Sequence, residues 1–192
     1  MENYQGDITE VRSTEGPLKI SEVIDRNPIY EGLFKGAEEI GIPINKDYNG
    51  HEQEGISYTQ TTIFKGERMS AEVAYLRPTK SRKNLKIITN SLVTKLLFDG
   101  KKCKGVKVKN KNKITDFFAL NEVILCGGAI NSPQILELSG IGNRSLLEEK
   151  GISLVHELKG VGENLRDHLG PRLVYNITKR GISYNDKARG IN

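Results

Sequence analysis

Apolar residues recur at spacings of three and four between residues 28 and 40, and this pattern predicts an amphipathic helix. The residues of its apolar face are Ile29, Leu33, Ala37 and Ile40. Pro28 suits the first helical turn and Gly41 suits the position just after the last one. A short strand, Leu18-Lys19-Ile20, precedes this helix.

Four strand-like runs follow one another in the middle of the chain and predict a compact antiparallel meander. They cover residues 85–88, 92–98, 105–108 and 114–119, with turn residues between them. Lysine and valine alternate in the third run, so Lys107 and Lys109 should share a solvated face while Val106 and Val108 pack beneath.

A nearly wholly apolar run, residues 122–126, predicts a buried strand that enters a helix through Gly127-Gly128. Other patterns predict strands over residues 56–64, 152–155 and 173–177, and a helix between Ser70 and Pro78. The chain therefore contains both strand-like and helix-like patterns of apolar residues, and neither pattern dominates. The prediction is a mixed α/β (α+β) fold.

Composition places the 192 residues among soluble globular chains, with 36% apolar and 28% charged residues. No apolar stretch approaches the roughly 20 residues of a membrane span, and Met1 begins no basic and then apolar leader. The two cysteines are too few for a disulfide scaffold or a four-cysteine zinc site. We expect a cytoplasmic, reducing environment, with membrane association of the full-length protein as the alternative, and no metal site.

The net charge of +5 raises the alternative of a nucleic-acid partner. Much of the positive charge lies between Lys95 and Lys113, around the turns of the predicted meander. No aromatic residues interleave the lysines of residues 101–113 as a base-stacking platform requires. A solvated strand face is the favoured explanation, and no nucleic-acid partner is expected.

The most informative run is Gly128-Ala-Ile-Asn-Ser-Pro-Gln-Ile-Leu-Glu-Leu-Ser-Gly-Ile-Gly142. Ser132 and Pro133 suit an N-cap and the first helical residue, and Gly140 suits the end of the helix. Three apolar residues would form the buried side: Ile135, Leu136 and Leu138.

This run resembles, position by position, a sequence signature of the glucose-methanol-choline (GMC) oxidoreductases. Residues 160–168 (GVGENLRDH) are similar to the next block of that family, with Arg166 where Gln is usual. Similarities to the family's middle section extend the resemblance over residues 16–178. Within the family, the sequence of this chain, including residues 154–158, is most similar to that of bacterial choline dehydrogenases.

The resemblance implies a flavoprotein that passes hydride from an alcohol to FAD. It also implies a discontinuous FAD-binding domain, carrying the β-meander, interleaved with a substrate domain. Residues 16–64 and 167–192 would belong to the substrate domain, after a polar segment, residues 1–15. Residues 65–145 would belong to the FAD-binding domain, with residues 146–166 as its extension.

The cofactor-binding residues implied by position are Val93, Cys126, Gly127, Gly128 and Ser132. The backbone of Val93 would meet the adenine, and the chain at Cys126 to Gly128 would pass the adenosine half of FAD. Cys126 itself is interpreted as a small buried hydrophobe without a redox role, because apolar neighbours make a thiol inert.

Two parts of the family pattern have no match in this chain. There is no Gly-x-Gly-x-x-Gly run to seat the pyrophosphate, and none of His51, His156 or His168 matches the family's catalytic histidine. His168, beside Asp167, is interpreted as a hydrogen-bonded packing residue or a wall of the substrate cavity. We therefore assign no catalytic residue and expect the isolated chain to be an inactive internal fragment.

The substrate stays open between choline and another small alcohol. Gly170 stands where choline-handling relatives carry a carboxylate, and the chain contains no Trp for an aromatic cage. A non-catalytic remnant or binding module is the competing class of function. The sequence sets no oligomeric state.

Overall fold

The computed structural model describes residues 1–6, 10–23, 26–178 and 181–183. The chain divides into two compact units. Met1–Lys86 and Leu173–Asn192 form the first, called here the N-terminal unit. Ile87–Arg172 forms the second, called the meander unit.

The N-terminal unit contains a small mixed sheet. Strand β1 (Glu2–Tyr4) pairs parallel with β2 (Leu18–Glu22), so the short strand predicted at residue 18 is confirmed. After helix α1 (Pro28–Glu39), strand β3 (Gln60–Thr61) pairs antiparallel with β2, and β4 (Ile63–Phe64) forms a hairpin with β5 (Glu67–Arg68). The extended run over residues 56–64 is thus divided into two short strands.

Helix α1 has the predicted span, but its packing face differs from the predicted one. The Asn27 side chain caps it by accepting a hydrogen bond from the Ile29 amide at 3.0 Å. The Phe34 ring stacks on Tyr58 with centroids 4.7 Å apart, whereas Leu33 is 54% exposed. The helix therefore packs through its aromatic residues and Ala37, because Tyr58 offers a ring to stack against.

The predicted helix after Ser70 is short and irregular. It consists of a π-helical turn, Glu72–Leu76, followed by a 3-10 turn, Arg77–Thr79. The Ser70 hydroxyl accepts a hydrogen bond from the Val73 amide at 3.3 Å, as its capping role requires.

The meander unit is built on three antiparallel strands: β6 (Leu92–Asp99), β7 (Lys102–Asn110) and β8 (Lys113–Phe118). The order β6-β7-β8 confirms the meander but with three strands rather than four. Val108 is buried and Lys109 is exposed, as the alternation predicts. Lys107 is only half-buried and forms an ion pair with Asp116 at 2.7 Å.

Helix α2 (Gly128–Leu138) follows the meander, and its start corrects the prediction. Ser132 and Pro133 lie inside the helix, because its first turn begins at Gly128. Pro133 lies just beyond that turn, so it removes only one early backbone hydrogen bond. Gly140 follows the C-cap with a φ of 91°, which confirms it as the helix end.

The unit is completed by β9 (Ile141–Gly142), α3 (Arg144–Glu149) and β10 (His156–Glu157), with β9 and β10 parallel. Four predicted strands are wrong: residues 85–88, 122–126, 152–155 and 173–177 form no strand in the structure. An extended run becomes a strand only when a neighbour takes its backbone hydrogen bonds. Among the described residues, none of the four forms a ladder of such bonds. Residues 152–155 come nearest, because the Ile152 amide donates to the Leu147 carbonyl and the Val155 amide to the Gly140 carbonyl, each at 2.8 Å.

The buried side chains of the meander unit are few and mostly apolar. Leu96, Val108, Ile135 and Leu147 are each at most 7% exposed, and the polar Ser139 is 1% exposed. Leu138, predicted to be buried, is 46% exposed. None of the helices in the described part of the chain is long and apolar enough to cross a membrane.

Candidate functional site

A groove of about 560 Å³ lies in the meander unit between strand β6, helix α2 and the segment that precedes the helix. Its lining residues are Leu92, Val93, Thr94, Leu96, Val106, Val123, Ile124, Leu125, Cys126, Gly127, Asn131, Gln134, Ile135 and Leu138. Most of the lining is apolar, with a few polar groups among it. Such a combination is typical of small-molecule sites.

The periodicity of helix α2 explains which of its residues reach the groove. Asn131, Gln134, Ile135 and Leu138 follow one another at i, i+3, i+4 and i+7, so they share one face. Ile135 anchors this face because it is 7% exposed, while Asn131 and Gln134 are exposed. The helix therefore contributes an apolar base and two amide side chains.

The structure brings three of the five predicted cofactor-binding residues to this groove: Val93, Cys126 and Gly127. Gly128 is exposed and begins helix α2 with a φ of 79°, and it is not among the lining residues. Ser132 is half-buried and also lies outside the lining. The predicted residues are thus neighbours, but they do not all face one space.

Gly127 lies where backbone and helix approach each other closely. A Cβ atom at this position would lie 3.1 Å from the Ser132 nitrogen and 3.2 Å from its Oγ. A larger residue would therefore push the segment away from the first turn of α2. Glycine lets residues 123–127 run along the helix and close one side of the groove.

The interpretation of Cys126 as a buried hydrophobe is wrong, because its side chain is exposed in the groove. The segment before it forms no strand, and Ile124 is 74% exposed. Without a covering sheet, the apolar run of residues 122–126 faces the groove and solvent instead of a core. The second thiol, Cys103, is half-buried on β7.

Several residues of the site were missed by the sequence reasoning. The polar groups of the lining come from Thr94, Asn131 and Gln134. The helical spacing of Asn131 and Gln134 could have identified these two from the sequence. Ser139 is the other omission. Its hydroxyl donates to the Ile135 carbonyl at 2.5 Å and accepts from the Leu96 amide at 2.8 Å, which joins α2 to β6.

The N-terminal unit contains a separate cluster of buried polar groups. The Arg12 side chain, 2% exposed, contacts Glu2 at 2.8 Å and Asp47 at 2.6 Å. Its guanidinium carbon lies 3.9 Å from the centroid of the Tyr4 ring. Burial, and next the negative charge of Glu22, raise the pKa of Tyr4 above the ordinary value of 10.0.

The three histidines lie apart from the groove lining. His51 contacts Glu10 at 2.9 Å on an exposed surface, and His156 is exposed on β10. His168 is also exposed, so the predicted packing role is wrong. In the part of the chain that the structure describes, no three His, Cys, Asp or Glu side chains are grouped so that they could hold a metal.

The lysines of the meander are partly neutralised within their own sheet. Lys107 pairs with Asp116 at 2.7 Å, and Lys104 lies 3.9 Å from Asp99. These pairs reduce the charge that the meander could present to a polyanion. The remaining lysines of residues 101–113 are exposed, as the prediction of a solvated strand face requires.

Comparison with known proteins places this geometry in a family. The family model described as GMC oxidoreductase matches residues 2–170. Mitochondrial choline dehydrogenase from Homo sapiens is 44% identical over 158 residues, which cover 82% of this chain and 27% of that protein. An oxygen-dependent choline dehydrogenase from Staphylococcus epidermidis is 45% identical over 163 residues, covering 83% and 28%.

Solved structures agree with the sequence relatives. An FAD-dependent oxidoreductase from Chaetomium thermophilum matches with a TM-score of 0.80 at 32% identity, over 86% of this chain and 31% of that one. Pyridoxine 4-oxidase from Mesorbium loti matches with a TM-score of 0.78 at 27% identity, over 83% and 31%. The chain thus spans under a third of the length of these relatives. A family model that matches from residue 2 to residue 170 shows that this chain belongs to the GMC oxidoreductases.

Proposed function

We propose that this chain forms part of an FAD-dependent oxidoreductase that acts on the CH–OH group of a small alcohol, and that the groove holds the adenosine half of FAD. The observation that carries the proposal is the meeting of Val93, Cys126 and Gly127 in one groove. When bound, FAD accepts the hydride that leaves the alcohol carbon.

The groove fits a flat heterocycle that carries polar edges. Leu96, Val106 and Ile135 offer apolar surface for a ring face. Asn131 and Gln134 offer amide donors and acceptors on the same face of α2 as Ile135. Gly127 completes the lining, because its missing side chain lets this segment pack against α2 at Ser132.

The domain assignment forms part of the same proposal. All residues that line the groove lie between residues 92 and 138, inside the segment 65–145 that we assign to the FAD-binding domain. Residues 146–166 would extend that domain, whereas residues 16–64 and 167–192 would contribute to the substrate domain. Gly128 and Ser132 would support the cofactor from behind the lining.

The substrate class comes from the relatives rather than from the groove. The curated relatives are choline dehydrogenases, and the matched solved structures include a pyridoxine oxidase. We propose a small alcohol as the substrate of the whole protein. We also propose a cytoplasmic location, because both cysteines are free thiols, as a reducing compartment favours.

Cys126 provides a direct test of cofactor binding. Its exposed thiol lines the groove, whereas Cys103 lies on β7 outside the lining. At a ligand concentration about ten times the dissociation constant, FAD or ADP should slow alkylation of Cys126 about tenfold and leave Cys103 unchanged. Mass spectrometry of the purified protein resolves the two thiols, and FMN, which lacks adenosine, should not protect.

A Cys126→Ser variant is the matched control, since it leaves only the Cys103 signal. Equal alkylation of Cys126 with and without FAD and ADP would contradict the proposal and favour a non-catalytic module. Protection by FMN as strong as that by ADP would instead move the flavin end of the cofactor to this groove.

A further inference from the structure

We infer that Ser139 is the positioning residue that fixes the width of the groove, by holding helix α2 against strand β6. The inference rests on the proposed function, because it concerns how the groove receives the adenosine half of FAD. Ser139 itself does not line the groove. It would act through Ile135 and Leu96, which do.

The Ser139 hydroxyl is buried in an otherwise apolar contact. Ser139 is 1% exposed and caps helix α2, which packs against β6. A buried hydroxyl is retained at little cost only when it is hydrogen-bonded. Its two bonds, to the Ile135 carbonyl and from the Leu96 amide, use both its donor and an acceptor position.

One of these hydrogen bonds connects the two sides of the groove, because the Leu96 amide donates across to Ser139, while the bond to the Ile135 carbonyl is local to the end of α2. Ile135 lies on α2 and Leu96 lies on β6. The Ser139 hydroxyl, fixed on α2 by its bond to Ile135, therefore holds the β6 wall through the buried Leu96 bond, which must break before the two walls move apart. Apolar contact alone is non-directional and would allow the helix to slide along the sheet.

The position of Ser139 along the helix makes its effect reach the groove. Ser139 is the C-cap residue of α2, and Gly140 then turns the chain toward β9. The groove residues Asn131, Gln134 and Ile135 lie N-terminal to this anchor. A small rotation about a loosened C-terminal end would displace their side chains, and with them the polar edge of the groove.

The experiment compares Ser139→Ala with Leu147→Ala in the purified protein. Leu147 is also 1% exposed and lies in the same unit, but outside the groove lining, so its loss destabilises without touching the two walls. Affinities for FAD and ADP are measured by calorimetry at a temperature where circular dichroism shows each variant to be folded. The exposed Ser153 provides a neutral Ser→Ala control.

For Ser139→Ala we expect the dissociation constant for ADP to rise about three- to tenfold, because the Leu96 amide loses its partner. Leu147→Ala should lower the melting temperature at least as much and leave the dissociation constant unchanged. Alkylation of Cys126 without any ligand should be faster in Ser139→Ala only. Equal affinities and equal alkylation rates in the two variants would overturn the inference.

The role of Ser139 can still be decided if binding or folding fails. If the unsubstituted protein binds neither FAD nor ADP, the proposed function fails, whereas the ligand-free alkylation rates still decide the role of Ser139. If Ser139→Ala does not fold, hydrogen exchange of the unsubstituted protein serves instead. Without ligand, the Leu96 amide should then exchange slowly because it donates to the buried Ser139 hydroxyl, and exchange as fast as that of exposed turn amides would contradict the inference.

Discussion

In the N-terminal unit a charged side chain, that of Arg12, is only 2% exposed, whereas in the meander unit the fully buried side chains are Leu147 and Ser139. Arg12 is held by carboxylates from two distant parts of the chain, Glu2 and Asp47. Leu147 is held by apolar contact. The N-terminal unit thus buries a charge that must be paired, whereas the meander unit buries an apolar side chain that must be closely packed.

This difference determines how each unit should respond to a substitution. A buried ion pair contributes little net stability when intact, but loss of one partner leaves an uncompensated charge. An apolar core loses stability in proportion to the cavity that a truncation leaves. The N-terminal unit is therefore sensitive to charge and pH, and the meander unit is sensitive to volume.

The largest effect is expected for Arg12→Met. The change leaves Glu2 and Asp47 without their cation, and we expect the free energy of unfolding of the N-terminal unit to fall by about 3–5 kcal/mol. Hydrogen exchange read by mass spectrometry should show faster exchange in residues 1–86 than in residues 87–172.

Arg77→Met is the matched control, because Arg77 also pairs with two carboxylates, Glu67 and Glu72, but on an exposed surface. Exposed pairs are screened by solvent, so this variant should unfold at the same denaturant concentration as the unsubstituted protein. If both arginine variants behaved alike, the buried cluster would have no special role in the first unit.

A smaller effect, about 2–4 kcal/mol, is expected for Leu147→Ala, which removes buried methyl groups from α3. For this variant, hydrogen exchange read by mass spectrometry should become faster in residues 87–172 than in residues 1–86. Leu146→Ala is the control, since the neighbouring Leu146 is 37% exposed. Destabilisation of equal size in the two variants would show that the core does not centre on Leu147.

The smallest effect concerns Tyr4, whose pKa is raised above 10.0 mainly by burial. A raised pKa means that the folded state holds the phenol proton more tightly than the unfolded state. The resulting stability is complete below about pH 10 and is lost as the pH rises through the folded-state pKa. The N-terminal unit should therefore unfold in alkali.

In Tyr4→Phe, the N-terminal unit should lose less stability as the pH rises, because no phenol at this position titrates. Near neutral pH its free energy of unfolding should be about 1 kcal/mol lower, because the hydrogen bonds of the Tyr4 hydroxyl are lost. Melting temperatures between about pH 8 and pH 11 test this expectation. Tyr175→Phe is the control, because Tyr175 is 77% exposed. If the melting temperatures of the unsubstituted protein and Tyr4→Phe fell in parallel as the pH rose, the expectation would be contradicted.

The elements whose hydrogen bonds are local were predictable from the sequence. Helix α1, the meander strands and the end of α2 at Gly140 follow from residue spacing and turn chemistry within short windows. The start of α2 was not predictable from the sequence. Ser132-Pro133 is a strong helix-start pattern, but here it lies one turn inside the helix. The strand predicted over residues 122–126 failed because no strand among the described residues pairs with it.

The candidate site shows the same division. The glycine turn at Gly127 and the helix behind it could be identified from the sequence, as could Val93 by resemblance. The exposure of Cys126 could not, because burial depends on what covers a segment. Ser139 could not be assigned a role either, since its partner Leu96 is 43 positions away in the chain.

By itself, the sequence determined the family, the order of the local elements and the glycine turn that precedes α2. These depend on residue types at short spacings, where a side chain acts on its own backbone neighbourhood. Only the tertiary structure decided that α2 and β6 form two walls of one groove and that a buried serine joins them. Such contacts arise between residues that the chain keeps far apart, and no local pattern encodes their distance.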